Sequence, residues 1–139
     1  MKVKKIGNKL FGRLEIGEEI FTSLKKICAD YKIKSGKISA IGATNKITIG
    51  HFNAKEKLYT PTDFEGDFEI LSILGNVSSM NGEEYLHLHI NLSDNKLNSF
   101  GGHLNSAIVS ATCEFIIEDF GEDIDRFADE ASGLNLLKI

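Results

Sequence analysis

Residues 84–103 of this 139-residue chain read EYLHLHINLSDNKLNSFGGH. Apolar and polar side chains alternate along the first nine of these residues, a pattern typical of a strand with one face in a core. His87 and His89 would lie together on the polar face of that strand. The face turned to the core would carry four aliphatic residues, namely Leu86, Leu88, Ile90 and Leu92.

The segment SDNK, residues 93–96, has the composition of a tight turn, because Asp and Asn side chains bond their own backbone. Beyond it the chain would return as a second strand and reach Gly101, Gly102 and His103. Glycine has no Cβ, so the backbone there could approach a crowded site or take a positive φ. We therefore expect His103 to lie beside the strand that carries His87 and His89.

Three imidazoles in this arrangement could bind one metal ion. Residues two apart on a strand have Cα atoms about 6.6 Å apart, and their side chains can lean onto one ion with metal–nitrogen bonds of ~2.0–2.1 Å. A three-histidine set with an open fourth position suits zinc, with nickel, copper and iron as competitors. The alternative is a pair of half-exposed polar residues with no ligand. His51 has no partner at a similar spacing and is interpreted as a strand-end histidine outside the site.

The remaining sequence predicts one helix among short strands. Apolar residues recur at helical spacing within residues 18–33, so this segment is predicted as an amphipathic helix. Short β-rich runs are predicted at 37–43, 46–52, 69–77, 84–92 and 107–120, and the tail 123–139 as a short helix or a last strand. We expect an α+β fold: a compact single domain over residues 1–139, with a largely antiparallel sheet and flanking helices.

Composition limits the class of protein. No apolar run approaches the roughly 20 residues needed to cross a bilayer, and the basic first residues lack the apolar stretch of a secretory signal. Cys28 and Cys113 lie in apolar segments and are predicted to be buried free thiols, with a disulfide as the less favoured alternative. These features predict a cytoplasmic protein.

Charge is distributed unevenly along the chain, whose net charge is −4. Residues 1–46 hold 11 of the 16 basic residues but only 4 of the 20 acidic ones. Such a division can mark a basic docking face. The alternative, which we favour, is that the two parts interleave in the fold and their fields largely cancel.

The same motifs carry a family resemblance. LHLHINLSD followed by GGHL and SATCEFII, with SAIGA near residue 40 and a closing RFADEASGLNLL, resembles the plants and prokaryotes conserved (PPC) domain over almost the whole chain. The resemblance implies a compact α+β domain that assembles as a homotrimer. It also implies a metal, zinc above all, bound through His87, His89 and His103.

Members of that family are widely described as DNA-binding proteins. In plant relatives the DNA contact is attributed to a separate AT-hook, and here neither Arg13 nor Arg126 lies in such a core. Any DNA binding would rest on the basic start of the chain and would be weak and sensitive to salt. The basic residues concerned are Lys2, Lys4, Lys5, Lys9 and Arg13.

Three functions remain open from the sequence. The first is a trimeric metal-binding module with a regulatory role, acting through DNA or a protein partner. The second is a small zinc enzyme, for which Glu114 is the best placed candidate for a general acid or base. The third is a protein that binds a small molecule at the open metal position.

Overall fold

The computed structural model describes all residues, 1–139. The chain forms eight strands and one helix: β1 (Lys2–Ile6), β2 (Lys9–Leu14), α1 (Ile20–Asp30), β3 (Gly36–Asn53), β4 (Leu58–Met80), β5 (Glu83–Ser93), β6 (Ser99–Asp119), β7 (Arg126–Asp129) and β8 (Leu134–Leu137). The predicted largely antiparallel sheet is confirmed. The expected flanking helices are wrong, because α1 is the only helix and the tail forms the hairpin β7–β8.

Six strands form one sheet in the order β1-β2-β6-β3-β4-β5, and β5 also pairs with β6. This extra pairing closes β3, β4, β5 and β6 into a ring of strands. Strand β6 makes closure possible because its first part pairs with β5 and its last part pairs with β2. His103 on β6 lies between two neighbouring strands, because it pairs with His89 on β5 and with Gly50 on β3.

The runs 37–43 and 46–52 belong to one long strand, β3, rather than to two short ones. Gly42 and Asn45 suggested a turn, but the register shifts at this point as in a β-bulge. The buried Thr44 hydroxyl donates a 2.7 Å hydrogen bond to the carbonyl of Ile108, which gives that carbonyl a partner where the regular pairing of the strands is interrupted. Bulges let a long strand bend, and bending is what closure of the sheet requires.

A single cluster of 24 buried apolar residues fills the inside of the sheet. Strand β5 contributes the aliphatic face predicted from its alternation, with Leu86, Leu88, Ile90 and Leu92 all buried. Helix α1 contributes Ile20, Leu24, Ile27 and Cys28, so its apolar stripe covers the core.

Both ends of α1 have clear local causes. Glu19 caps the first turn, where its carboxylate accepts hydrogen bonds from the backbone N–H groups of Phe21 and Thr22. At the other end Lys32 takes a positive φ of 57°, and the N–H of Ile33 donates to the carbonyl of Cys28. This is the Schellman arrangement, which ends a helix. The helix is thus shorter than the predicted 18–33.

Ion pairs join the basic first part of the chain to the acidic remainder. Lysines from residues 1–46 reach carboxylates from residues 47–139 in four pairs: Lys9–Glu118, Lys25–Glu83, Lys34–Glu84 and Lys46–Glu65. The basic and acidic parts of the chain therefore interleave in the fold, as we predicted from the sequence.

Cys28 and Cys113 are both free and buried, which confirms the prediction made for them. Burial raises the pKa of each thiol to about 12, so both stay protonated near neutral pH. Helix α1 lacks the combination of length and apolar character that crossing a membrane takes.

Candidate metal centre

The structure brings together the three histidines singled out by the sequence. His87 and His89 lie on the outer face of β5, while the side chains between and beside them enter the core. The turn at 93–96 reverses the chain, and Asp94 accepts hydrogen bonds from the backbone N–H groups of Lys96 and Asn98. Strand β6 then places His103 directly opposite His89 in the antiparallel ladder.

The three rings form a triangle. Their centroids are 5.2 Å apart for His87–His89, 5.2 Å for His87–His103 and 5.5 Å for His89–His103. One ring nitrogen from each residue can be chosen so that all three lie within 4.8 Å of one another. Nitrogen ligands around a single tetrahedral ion lie about 3.3 Å apart for bonds of ~2.0–2.1 Å, so the three rings would have to turn slightly toward one another to bind one ion.

Glycines make the close approach of these strands possible. A Cβ on Gly101 would lie 2.2 Å from the carbonyl oxygen of Ile90, and one on Gly102 would lie 2.7 Å from the carbonyl oxygen of Gly50. Neither distance is compatible with a side chain unless the backbone moves. Close approach, rather than a positive φ, is therefore the reason for the glycine pair before His103.

The environment favours neutral imidazoles, which are the form that binds metals. The pKa of His87 is lowered to about 4, chiefly by burial and also by the neighbouring His103, His89 and Arg126. Burial also lowers the pKa of His103, with a smaller contribution from His89. Near neutral pH these two rings therefore keep a lone pair available for a ligand or a hydrogen bond.

The histidines open into a cleft of about 1030 Å³. Tyr59 lies edge-on to His103 with ring centroids 5.8 Å apart, and its hydroxyl donates to the side-chain carbonyl of Asn105. His51 lines the same cleft but lies outside the histidine cluster, which agrees with its interpretation from the sequence. The β7–β8 hairpin forms the far wall through Leu134, Leu136 and Leu137.

One residue of the cleft was missed by the functional reading of the sequence. Arg126, at the start of β7, is only 8% exposed and lies with its guanidinium carbon 4.7 Å from the centre of the Tyr85 ring. Its nitrogens donate to the hydroxyl of Ser78, the carbonyl of Asn135 and the side-chain oxygen of Asn76. No local motif marks Arg126, because these partners come from 9 to 50 residues away along the chain.

Glu114, the candidate general acid or base, lies elsewhere in the fold. It is exposed on β6, eleven residues from His103, which corresponds to roughly 35 Å along an extended strand. It lines a different, apolar cavity together with Arg13, its direct partner on β2. Within one chain Glu114 and the three histidines therefore line different cavities.

The histidine set fits a transition metal better than Mg²⁺ or Ca²⁺, because it offers three imidazole nitrogens and no carboxylate. His87, His89 and His103 would bind the ion, and the cleft would leave a further position open to a ligand. When bound there, zinc supplies an electrophilic centre for a group that enters the cleft.

The fold and the cleft together define a class: a small protein with a closed antiparallel sheet and three convergent histidines on adjacent strands. The sequence profile of the Plants and Prokaryotes Conserved (PCC) domain, also abbreviated PPC, matches residues 1–121. The chain therefore belongs to this family. No curated protein matches the chain.

Three solved structures are similar over nearly the whole chain. A proposed DNA-binding protein from Bacteroides thetaiotaomicron is 39% identical, with a TM-score of 0.96 and coverage of 99% of this chain and 96% of its own. A metal-containing protein from Archaeoglobus fulgidus is 32% identical, with a TM-score of 0.88 and coverage of 97% and 96%. A plant- and prokaryote-conserved protein from Pyrococcus horikoshii is 31% identical, with a TM-score of 0.86 and coverage of 99% and 94%.

Proposed function

We propose that this protein is a self-associating zinc-binding module in which His87, His89 and His103 bind the ion. The observation that carries the proposal is the convergence of one nitrogen from each of these residues within 4.8 Å. The set has the composition of an open zinc site, which keeps one position for an exogenous ligand. The similar protein from Archaeoglobus fulgidus, which is described as containing a metal, supports the same conclusion.

Metal content is the direct test. Wild-type protein, dialysed after exposure to zinc, should retain about one ion per chain, while a His87→Ala/His89→Ala variant should retain almost none. His51→Ala is the matched control, because His51 lines the same cleft outside the cluster and should leave the zinc content unchanged. Equal zinc content in wild type and the double variant would refute the proposal. Parallel loading with nickel, copper and iron would rank the competing metals.

We further propose that residues 1–139 act as one domain that assembles as a homotrimer. Support comes from an apolar surface outside the histidine cleft, around a cavity of about 850 Å³. Ile41, Leu74 and Phe11 line it and are 57%, 52% and 43% exposed. Contiguous exposed apolar surface of this kind is typical of protein–protein contacts. Sedimentation should give about three times the 15.3 kDa chain mass, and a 15.3 kDa species would overturn the proposal.

DNA binding is a second candidate, favoured by the relative from Bacteroides thetaiotaomicron. Within this chain three of the five basic residues at the start are paired with carboxylates, since Lys2 and Arg13 pair with Glu15 and Lys9 pairs with Glu118. We therefore expect only weak binding that falls steeply as salt is added. A fluorescence anisotropy titration of duplex DNA at increasing salt tests this, and the absence of binding at low ionic strength would remove the candidate.

A further inference from the structure

Arg126 carries a buried positive charge without a negative partner. The residue is only 8% exposed, and no carboxylate oxygen lies within 4.0 Å of its guanidinium nitrogens, in contrast to Arg13, which pairs with Glu15. Its acceptors are all neutral, namely Ser78, Asn135 and Asn76. A buried charge is costly unless it is paired, so a guanidinium held in this way is a ready site for an anion.

Two donor groups of Arg126 remain available. The guanidinium has five N–H groups, and the three hydrogen bonds use one on Nε, one on Nη1 and one on Nη2. The remaining N–H on each Nη has no acceptor in the chain. Both remaining donors are on the terminal Nη atoms, and these are atoms that arginine uses when it binds the two oxygens of a carboxylate in a bidentate manner. The contact with the Tyr85 ring holds the plane of the fork in place.

The surroundings of Arg126 also select for negative charge. Lys57 and Arg126 line the same cleft as the three histidines, and none of its 17 lining residues is an aspartate or a glutamate. This composition is unusual in a chain with 20 acidic residues and a net charge of −4. A cleft that presents only cationic and neutral groups concentrates small anions from solution.

We propose that Arg126 is the anion-binding end of this cleft and that its ligand is a small organic carboxylate whose second polar group reaches the histidines. The inference rests on the proposed function insofar as that second group would bind the zinc ion. The carboxylate contact itself depends on Arg126 alone. Neither the histidine motif nor the fold assigns this ligand class, which follows from the unpaired guanidinium and the absence of acidic side chains.

Glycolate and its neutral isostere glycolamide are suitable probes, because both offer a hydroxyl and only glycolate offers a carboxylate. Calorimetry on zinc-loaded wild-type protein should show glycolate binding at least about tenfold more tightly than glycolamide. Arg126→Gln should remove this preference. Arg13→Gln is the control, because Arg13 is the only other arginine, is exposed and lies outside the cleft, and it should leave the preference intact.

A second measurement does not depend on the stability of a variant. With arginine labelled by ¹⁵N, the protein gives only two Nε signals, from Arg13 and Arg126. Saturating glycolate should shift the Arg126 signal and leave that of Arg13 in place, whereas glycolamide should shift neither. An Arg126 signal unmoved by glycolate would overturn the proposal, as would equal affinities for the two probes or no binding of glycolate.

The same titration on metal-free protein separates this inference from the proposed zinc site. A glycolate-dependent shift of Arg126 in protein that retains no zinc after dialysis would support the anion site while the metal site failed. Stoichiometric zinc without any response of Arg126 would support the metal site and overturn the anion site.

Discussion

His89 and His103 are direct partners across the antiparallel pairing of β5 and β6, and their ring centroids lie 5.5 Å apart. His87 completes the triangle from two residues along the same strand. Geometry of this kind rests on backbone hydrogen bonds rather than on flexible loops. The rings are therefore held near one another before any ligand arrives, and binding requires little reorganisation.

The first prediction concerns pH. The pKa of His87 is lowered to about 4 in the folded protein, below its ordinary value of 6.5, so the unfolded chain takes up the proton first. The neutral His87 ring therefore contributes its full share of the free energy of unfolding above about pH 6.5, and this contribution is lost as the pH falls toward about 4. Metal-free wild type should therefore lose more of its free energy of unfolding between about pH 7 and about pH 5 than His87→Gln does. Urea titrations measure this, and parallel losses would contradict the lowered pKa.

The second prediction concerns the glycine pair. Gly101→Ala would place a Cβ 2.2 Å from the carbonyl oxygen of Ile90 and force β5 and β6 apart. We expect a loss of about 1–3 kcal/mol in the free energy of unfolding, together with weaker zinc binding because His89 and His103 separate. Urea denaturation and competition with a chromophoric chelator measure the two effects. Ser99→Ala, at an exposed position of the same strand, should change neither. A fully stable Gly101→Ala protein with normal zinc affinity would show that the strands do not need this contact.

The third prediction concerns self-association. Leu74→Glu or Ile41→Glu places a charge on the apolar surface proposed as the trimer contact, and desolvating that charge should prevent assembly. Sedimentation should then report the mass of one chain. Leu97→Glu is the matched control, because Leu97 is 85% exposed in the turn between β5 and β6 and lies away from that surface. Assembly that survives both substitutions would place the contact elsewhere on the molecule.

The fourth prediction concerns Glu19, which joins α1 to the sheet. Its carboxylate caps the helix at Phe21 and Thr22 and also accepts a 2.9 Å hydrogen bond from the backbone N–H of Ala107 on β6. Glu19→Ala should lower the free energy of unfolding by about 1–2 kcal/mol, because it removes the cap and leaves a partly buried donor without a partner. Thermal and urea unfolding test this against Glu56→Ala, an exposed glutamate outside any ion pair. Equal midpoints for the two variants would exclude a structural role for Glu19.

Local pattern was sufficient to predict the arrangement around the histidines. Strict alternation in β5 separates core from surface, and the Asp94 turn determines where β6 returns, so His87, His89 and His103 could be placed together from the sequence. The histidines lie next to one another because of contacts within 20 residues. Short-range rules of strand and turn chemistry cover that distance well.

Features that depend on distant parts of the chain could not be predicted in this way. Arg126 reaches the cleft only because β7 packs beside β4, and its acceptors Ser78 and Asn76 carry no local sign of that contact. The bend in β3 resembled a turn, since Gly42 and Asn45 suit both a turn and a bulge, and only its pairing with two neighbours separates the two. Glu114 was chosen as a candidate from its position along a predicted strand. That position does not determine how far its side chain lies from the histidines in a closed sheet.

Alternate residues of β5 face the hydrophobic core and the ligand cleft, so the pairing register of this strand determines whether a molecule folds correctly. A shift of the pairing register by one residue would expose Leu88 and Ile90 to solvent and bury His87 and His89 in the hydrophobic core. Such a molecule would collapse or aggregate. A preparation of the protein should therefore contain correctly folded molecules and precipitate. It should not contain a soluble, folded fraction that is unable to bind its ligand.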